Sequence, residues 1–241
     1  MNSIHEAAVA GNIDILKLLI DNGANVNLKD SKSLRPLHYA AWQGRSEAVF
    51  ILIRYGASIN EQSVNGDTPL HLASQYGHHE IVQLLLFHHA DPTIFNRQYF
   101  TPLDFACEHG HFHIVNLCLH HPHGQQMILN SHQEQHTPLH LAAKNGHTDI
   151  VRLLLLHGMD INRLTISDGS ALHLASRNGR YETAKLLLEC GIDFHLCNSY
   201  EQTAYEVVIK QKSGQDIKRL IKGETSNFEC RKICFDLIRI F

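Results

Sequence analysis

The sequence predicts an all-α fold in which short helical hairpins stack side by side into a solenoid. Three observations lead to this prediction. A Thr-Pro-Leu-His type of motif recurs every 33 residues, a glycine follows each early copy at a constant distance, and an apolar helical segment follows each glycine. Because one hairpin of this kind cannot bury its own apolar faces, the copies must pack on one another.

The motif predicts where each first helix begins. Its fourth residue lies at positions 5, 38, 71, 104, 140, 173 and 206, so every step is 33 residues except one of 36. In Thr68-Pro69-Leu70-His71 the threonine is a favoured N-cap, the proline suits the first helical position, and the histidine can reach back to the cap. Thr203 and Glu206 have the spacing of a capping box. The motif therefore predicts seven helix starts.

The glycines and the segments after them predict the rest of each unit. A left-handed C-cap residue is needed where each short first helix ends. The glycines that meet this need are Gly11, Gly44, Gly77, Gly110, Gly146 and Gly179. Segments such as 79–86 and 148–155 are apolar around most of their circumference, which predicts a second helix buried between neighbours. Turn signals such as Asn65-Gly66 predict β-hairpin loops between the units.

These features together resemble the ankyrin repeat. The resemblance is carried by the motif, by the Gly-His that follows it, and by runs such as Gly23-Ala-Asn-Val-Asn27. Within that family the chain is most similar to the ankyrin region of Caskin-type scaffold proteins, with Odin-type scaffolds as the near alternative. This similarity is carried by residues 36–45, 69–78, 101–108 and 137–147. The SH3, SAM or PTB modules of those families are not found in this sequence.

The repeat divides the chain into a predicted ankyrin-repeat domain, residues 1–223, and a non-repeat tail, residues 224–241. The predicted units are 1–33, 34–66, 67–99, 100–135, 136–168, 169–201 and a degenerate 202–223. The 36-residue step lies in the fourth unit, where Pro122 should end the second helix and a loop should protrude at about 120–132. The tail is either a docked cap or a loosely ordered segment.

Composition argues against several other classes. The net charge of −3 is too balanced for a general nucleic-acid binder, although the segment after residue 209 has eight Lys/Arg against four Asp/Glu. Six cysteines without a CxxC pair favour free thiols and a cytoplasmic location. The N-terminus lacks the pattern of a secretory signal, and the apolar runs are too short for a membrane span. We expect a monomeric cytoplasmic protein.

No motif predicts an enzyme or a cofactor. The sequence has no GxGxxG, P-loop, GxSxG or HExxH pattern. Cys107 falls where other units have alanine or serine, so we interpret it as a packed thiol of the core. The resemblance instead implies a non-enzymatic protein-interaction module of a scaffold or adaptor. An ankyrin-type inhibitor of an enzyme is an alternative within the same resemblance.

The 20 histidines leave a second alternative, a metal-binding or metal-regulated protein. Eight belong to the repeat, either at the fourth motif position or after a turn glycine, and the others concentrate between positions 88 and 136. Three sets of histidines are candidate metal ligands: 109, 111 and 113; 120, 121 and 123; and 88, 121 and 157. The last set would be spaced by the roughly 8–10 Å between packed helices, too wide for ligands about 2.1 Å from one zinc ion. These histidines could instead make the central face mildly sensitive to pH.

The partner-binding surface is predicted at variable positions on the concave face. The resemblance places contacts just after the small residues of each first helix: Trp42, Gln43, Gln75, Tyr76, Glu108, His109, Lys144, Asn145, Arg177 and Asn178. The hairpin tips add Lys32 and Leu34, Val64 and Asp67, Arg97 and Phe100, and Gln133 and His136. Trp42, Tyr76 and Phe100 are the aromatic type enriched at binding hot spots. The alternative is that Trp42 and Tyr76 only cover neighbouring helices.

Overall fold

A computed structural model describes residues 3–124, 126, 136–209 and 215–226, and its regular secondary structure is helical. The helices are α1 (Ser3–Ala10), α2 (Ile13–Asp21), α3 (Pro36–Trp42), α4 (Ser46–Arg54), α5 (Pro69–Gln75), α6 (His79–Phe87), α7 (Pro102–His109), α8 (Phe112–His120), α9 (Pro138–Asn145), α10 (Thr148–Leu156), α11 (Ala171–Arg177), α12 (Tyr181–Glu189), α13 (Ala204–Ile209) and α14 (Gln215–Ser226). In these described ranges no helix is long and apolar enough to cross a membrane.

The helices belong to two compact units, Met1–Met127 and Ile128–Phe241. In the first unit α1, α3, α5 and α7 pack side by side in one layer, and α2, α4, α6 and α8 form the other. The second unit repeats this arrangement with α9, α11 and α13 in one layer and α10, α12 and α14 in the other. The predicted solenoid of stacked helical pairs is therefore confirmed within each unit.

The core of each unit lies between its two layers. The third motif residue is a buried leucine in five repeats, with at most 1% of its surface exposed: Leu37, Leu70, Leu103, Leu139 and Leu172. Burying a leucine side chain stabilises the fold by about 1.5–3 kcal/mol. Cys107 is fully buried, as predicted, and burial raises the pKa of its thiol well above the ordinary value. The sequence repeat thus places a core leucine at the same position of the first helix in five repeats.

In several repeats a buried histidine joins the first helix to the turn that leads into the next repeat. The Nδ1 atom of His71 accepts a hydrogen bond from the backbone N–H of Thr68 at 3.2 Å, while its Nε2 donates to the carbonyl of Phe100 at 3.0 Å. Equivalent rings bond at both nitrogens, and we call the set the histidine clamps: His38, His71, His140 and His173. Because one nitrogen accepts and the other donates, these rings are neutral.

A second set of bonds links a repeat to the one before it within each unit. The Nε2 of His111 donates to the carbonyl of Gln75 at 2.9 Å, and the ring lies over Gly77. Gly77 has a φ of 80°, and a Cβ added there would lie 2.7 Å from the ring. Arg45 makes the same kind of bond through Nε to the carbonyl of Val9. The glycine is therefore required both by the backbone conformation and by the close approach of the ring.

The fourth repeat departs from this pattern. Asp104 occupies the clamp position, and its Oδ2 accepts hydrogen bonds from the backbone N–H and the hydroxyl of Thr101 at 2.8 and 2.7 Å. Its Oδ1 is buried and has no hydrogen-bond partner among the described residues. Burial raises the pKa of Asp104 to about 6. The second helix of this repeat, α8, ends at His120, before Pro122. Most of the predicted loop at 120–132 lies outside the described residues.

The segments between repeats correct one expectation. They are tight turns rather than β-hairpins, and the described part of the chain contains only two isolated bridges, Thr165 with Gly169 and Cys197 with Thr203. We call residues 30–34, 63–67, 96–100, 165–169 and 198–202 the interrepeat turns. A side-chain oxygen closes each turn within five residues; Asn96 Oδ1, for example, accepts the N–H groups of Gln98 and Phe100. Too few residues remain to form a ladder of paired strands.

The end of the chain is described only in part. Helix α14 packs on α12 and α13, and it buries Ile217 and Ile221. This helix continues through Gly223 to Ser226, so the domain boundary predicted at 223 falls inside it. The question of a docked or a loose tail concerns residues 227–241, which lie outside the described residues.

Candidate protein-binding surface

A groove of about 570 Å³ lies in the first unit, between the interrepeat turns and the first helices. One wall is made by turn residues that include Lys32, Leu34, Val64, Asn65, Asp67 and Gln98. The other side is made by helix residues Trp42, Leu72, Gln75, Tyr76 and Phe105. Three consecutive first helices, α3, α5 and α7, therefore contribute to one concave surface, which we call the groove.

Two aromatic rings stand side by side in the groove. The ring centroids of Trp42 and Tyr76 are 5.9 Å apart, and Tyr39 supports Trp42 from behind at 6.2 Å. The Tyr39 hydroxyl donates to Asp30 Oδ2 at 2.8 Å, which ties this support to the first interrepeat turn. Tyr76 remains 48% exposed although it contacts its neighbour. The rings thus cover each other in part and still present apolar surface to the groove.

The wall of the groove is fixed by hydrogen bonds between successive turns. The N–H of Val64 donates to the carbonyl of Lys32, and the N–H of Arg97 donates to that of Asn65, both at 2.9 Å. The Asn96 amide donates to Asp67 Oδ1 at 2.8 Å. Burial raises the pKa of the Asp67 carboxyl, and the bond from Asn96 opposes that shift. The wall is therefore bonded both within and between repeats.

The predicted contact residues of the first unit are only partly brought together. Trp42, Gln75 and Tyr76 line the groove, as do the predicted turn residues Lys32, Leu34, Val64 and Asp67. Gln43, Arg97, Phe100, Glu108 and His109 are not among its lining residues. Phe100 packs on Phe105 with centroids 5.2 Å apart, and His109 Nδ1 bonds to the carbonyl of Phe105 at 3.0 Å. These side chains therefore flank or support the groove.

Sequence reasoning missed Leu72 and Phe105 as groove residues. Both occupy the fifth motif position, which is apolar in every clear copy and therefore looks like helix interior. The signal that could have found them is the change of residue at this position, from Tyr39 to Leu72 to Phe105. Such variation at an otherwise apolar site alters the shape of a surface that three helices share.

The remaining predicted residues lie in the second unit and are largely engaged by their own repeats. The amides of Asn145 and Asn178 donate to main-chain carbonyls one turn earlier, at Leu141 and Leu174. Arg177 Nη1 forms a 2.6 Å ion pair with Asp168. The remaining positions are Lys144, which is exposed, His136, which is half-buried, and Gln133, which lies outside the described residues.

Some histidine rings stack in pairs. The rings of His109 and His111 stack at 6.1 Å, and those of His121 and His123 stack at 5.2 Å. Among the described residues, no three His, Cys, Asp or Glu side chains gather in a way that could hold a metal ion. Burial raises the pKa of the Cys118 thiol to about 12, the opposite of what a nucleophilic thiolate requires.

Comparisons with known proteins agree with this geometry. Family models described as ankyrin repeats match residues 4–53, 37–130 and 103–198. The crystal structure of the human ASB11 ankyrin repeat domain is 26% identical with a TM-score of 0.80, covering 93% of this chain and 98% of that one. The ankyrin repeat domain of Bcl-3, a member of the IkappaB protein family, is 24% identical with a TM-score of 0.72, covering 92% of this chain and 99% of that one. This similarity supports the fold alone.

No curated protein matches the sequence, so the finer resemblance to Caskin-type scaffolds rests on its motifs alone. The family models together extend over most of the chain, and the helical pairs, glycine turns and interrepeat turns have the arrangement that these models imply. The chain belongs to the ankyrin-repeat family, whose domains are generally protein-interaction modules.

Proposed function

We propose that this protein is a non-enzymatic protein-binding module of a cytoplasmic scaffold or adaptor, and that it binds a protein or peptide segment in the groove as a monomer. The observation that carries this proposal is the pairing of Trp42 and Tyr76 on a concave surface built by three repeats. Large aromatic side chains in concave, partly desolvated sites supply most of the affinity at many protein interfaces.

The groove also has a preformed frame. Its wall is held by main-chain bonds between turns and by side-chain bonds within them, such as those of Asn96. A surface fixed in this way loses little conformational entropy on binding, so more of the contact energy is available as affinity. An extended peptide suits such a groove because it can contact several repeats at once.

The other predicted contacts have a secondary role in this proposal. Gln43, Arg97, Phe100, Glu108 and His109 would form the rim around the groove. Lys144, Asn145, Arg177 and Asn178 would extend the contact on the second unit. Rim residues at interfaces generally contribute less than central aromatic anchors. We propose an ankyrin-repeat domain over residues 1–223 and a non-repeat tail over residues 224–241, whose first three residues continue helix α14.

The test replaces both aromatic anchors. We expect the Trp42→Ala/Tyr76→Ala variant to lose about 2 kcal/mol of partner affinity, or about 30-fold in Kd, because both rings would be desolvated on binding. Partners captured from cytosolic extract by the full chain would be quantified by mass spectrometry, and the affinity of the leading partner would then be measured by calorimetry.

The matched control is Tyr55→Ala/Phe87→Ala. Both side chains are exposed aromatics at the ends of second helices in the same unit, and neither lines the groove. Equal losses in the two double variants would contradict the proposal. So would a captured set that neither variant changes, or a Trp42/Tyr76 variant whose loss of binding is explained by unfolding in urea.

A further inference from the structure

The groove contains a carboxyl group with an unused oxygen. Asp67 lies in the wall, where its backbone N–H donates to Ser63 Oγ at 3.2 Å and its carbonyl accepts from the His38 clamp. Its side chain is held at Oδ1 by the Asn96 amide. Among the described residues, none donates a hydrogen bond to the other oxygen, Oδ2. The carboxyl is therefore fixed in position and has acceptor capacity left for a ligand.

Among the described residues, no lysine or arginine forms an ion pair with this carboxyl. Lys32 is the other charged residue among those that line the groove. The pKa of Asp67 is raised by burial, and the hydrogen bond from Asn96 is what opposes the shift. Asp67 is thus a partly desolvated carboxyl with no cationic partner in the part of the chain that the structure describes.

The aromatic rings of the groove add a second feature that suits a cation. Trp42 and Tyr76 line the same groove as Asp67, and Tyr76 is exposed for about half of its surface. A guanidinium group can stack its flat face on an aromatic ring while an N–H at its edge donates to the unused oxygen of a carboxylate. An ammonium group is more strongly hydrated and has no flat face to stack, so arginine suits this combination better than lysine.

We propose that the partner segment in the groove is anchored by an arginine side chain, which donates to Asp67 and stacks against Trp42 or Tyr76. This inference rests on the proposed function, because it specifies the chemistry of the partner in that same groove. Asp67 supplies the charge and the rings supply the apolar contact. The groove, at about 570 Å³, has room for the side chain together with the neighbouring residues of the peptide.

The test selects binders from a random library of displayed peptides with the full chain as bait. We expect the selected peptides to share an arginine flanked by apolar residues. Selection with Asp67→Asn should lose this preference, because the amide keeps an oxygen for the Asn96 bond and removes the negative charge. The matched control is Asp14→Asn, which removes one exposed carboxyl on α2 and should leave the preference intact.

A synthetic peptide from the selection then tests the contact directly. Replacing its arginine by citrulline, which keeps the shape and removes the charge, should weaken binding to the normal chain at least tenfold. The same replacement should weaken binding to Asp67→Asn less than twofold. Urea unfolding checks that Asp67→Asn is folded. If it is not, the loss caused by citrulline on the normal chain tests the requirement for the charge.

The outcomes separate this inference from the proposed function. Peptides that bind, depend on Trp42 and Tyr76, and show no shared arginine would overturn the inference and leave the function standing. Peptides that instead share an acidic residue directed at Lys32 would overturn it as well. A selection that yields no peptide dependent on Trp42 and Tyr76 would contradict the proposed function, and the inference with it.

Discussion

The repeats with a histidine clamp and the fourth repeat solve the same capping problem with different consequences. At His71 the ring caps its own helix through Nδ1 and bonds the next interrepeat turn through Nε2. At Asp104 one carboxyl oxygen performs the capping, through two bonds from Thr101. The second oxygen is buried and has no partner among the described residues. The substitution therefore keeps the local bond and loses the bond between repeats.

The comparison shows that a motif position can keep its capping role while its side chain has a different effect on stability. Both side chains satisfy the start of a helix, and both are buried. Burial lowers the pKa of His71 to about 4 and raises that of Asp104 to about 6, because in each case it penalises the charged form. The two positions should therefore respond to pH in opposite directions, which provides three experiments.

The largest expected effect is loss of stability in acid. Burial lowers the pKa of His38, His71 and His140 to about 4, compared with about 6.5 in an unfolded chain. A histidine whose pKa is lower in the folded chain than in the unfolded chain stabilises the fold above pH 6.5. This stability is lost as the pH falls toward 4. By linkage the free energy of unfolding should drop by about 2 kcal/mol per histidine between pH 7.5 and 5. Urea titrations at several pH values measure it, and an equal stability at pH 7.5 and 5 would contradict the neutral clamps.

A smaller effect is expected from removing one clamp. His71→Ala should lower the free energy of unfolding by about 3 kcal/mol at pH 7.5, because it creates a cavity, leaves the Thr68 N–H unpaired and removes the bond to the Phe100 carbonyl. It should also reduce the acid sensitivity. The control is His79→Ala, an exposed histidine of the same repeat, which should change stability by less than about 0.5 kcal/mol. Similar costs for the two variants would refute the clamp.

The smallest effect is expected at Asp104. A carboxyl with a raised pKa contributes stability below its unfolded value of about 3.8, and this contribution is lost as the pH rises through about 6. Asp104→Asn removes the buried charge and should stabilise the protein by about 1 kcal/mol at pH 7.5. By linkage Asp104 itself regains about 1.4 kcal/mol of stability between pH 7.5 and 5, so the gain of the variant should be lost at pH 5. Urea unfolding of both chains tests this, and a gain that does not depend on pH would point to packing instead of charge.

Local features were predictable from the sequence because their causes are local. The helix starts follow from Thr, Pro and the fourth motif residue, and the left-handed glycines follow from the short first helices. The bond from His71 to Phe100 was not predictable, because its acceptor lies 29 residues away. Only some of the residues that line the groove were predictable from the sequence. Trp42 and Tyr76 stood out by residue type, whereas Phe105 looked like ordinary helix interior until three helices were placed side by side.

The histidine clamp also bears on how such a chain can change by gain or loss of whole repeats. Its acceptor is a main-chain carbonyl, at Asp67, Phe100, Gly169 or Gln202 in successive cases, so the bond does not depend on the acceptor's side chain. If residues 67–99 were deleted in frame, Phe100 would take the place of Asp67 opposite His38. Gene duplication or deletion in steps of 33 residues can therefore change the number of repeats without requiring a compensating substitution at the new junction.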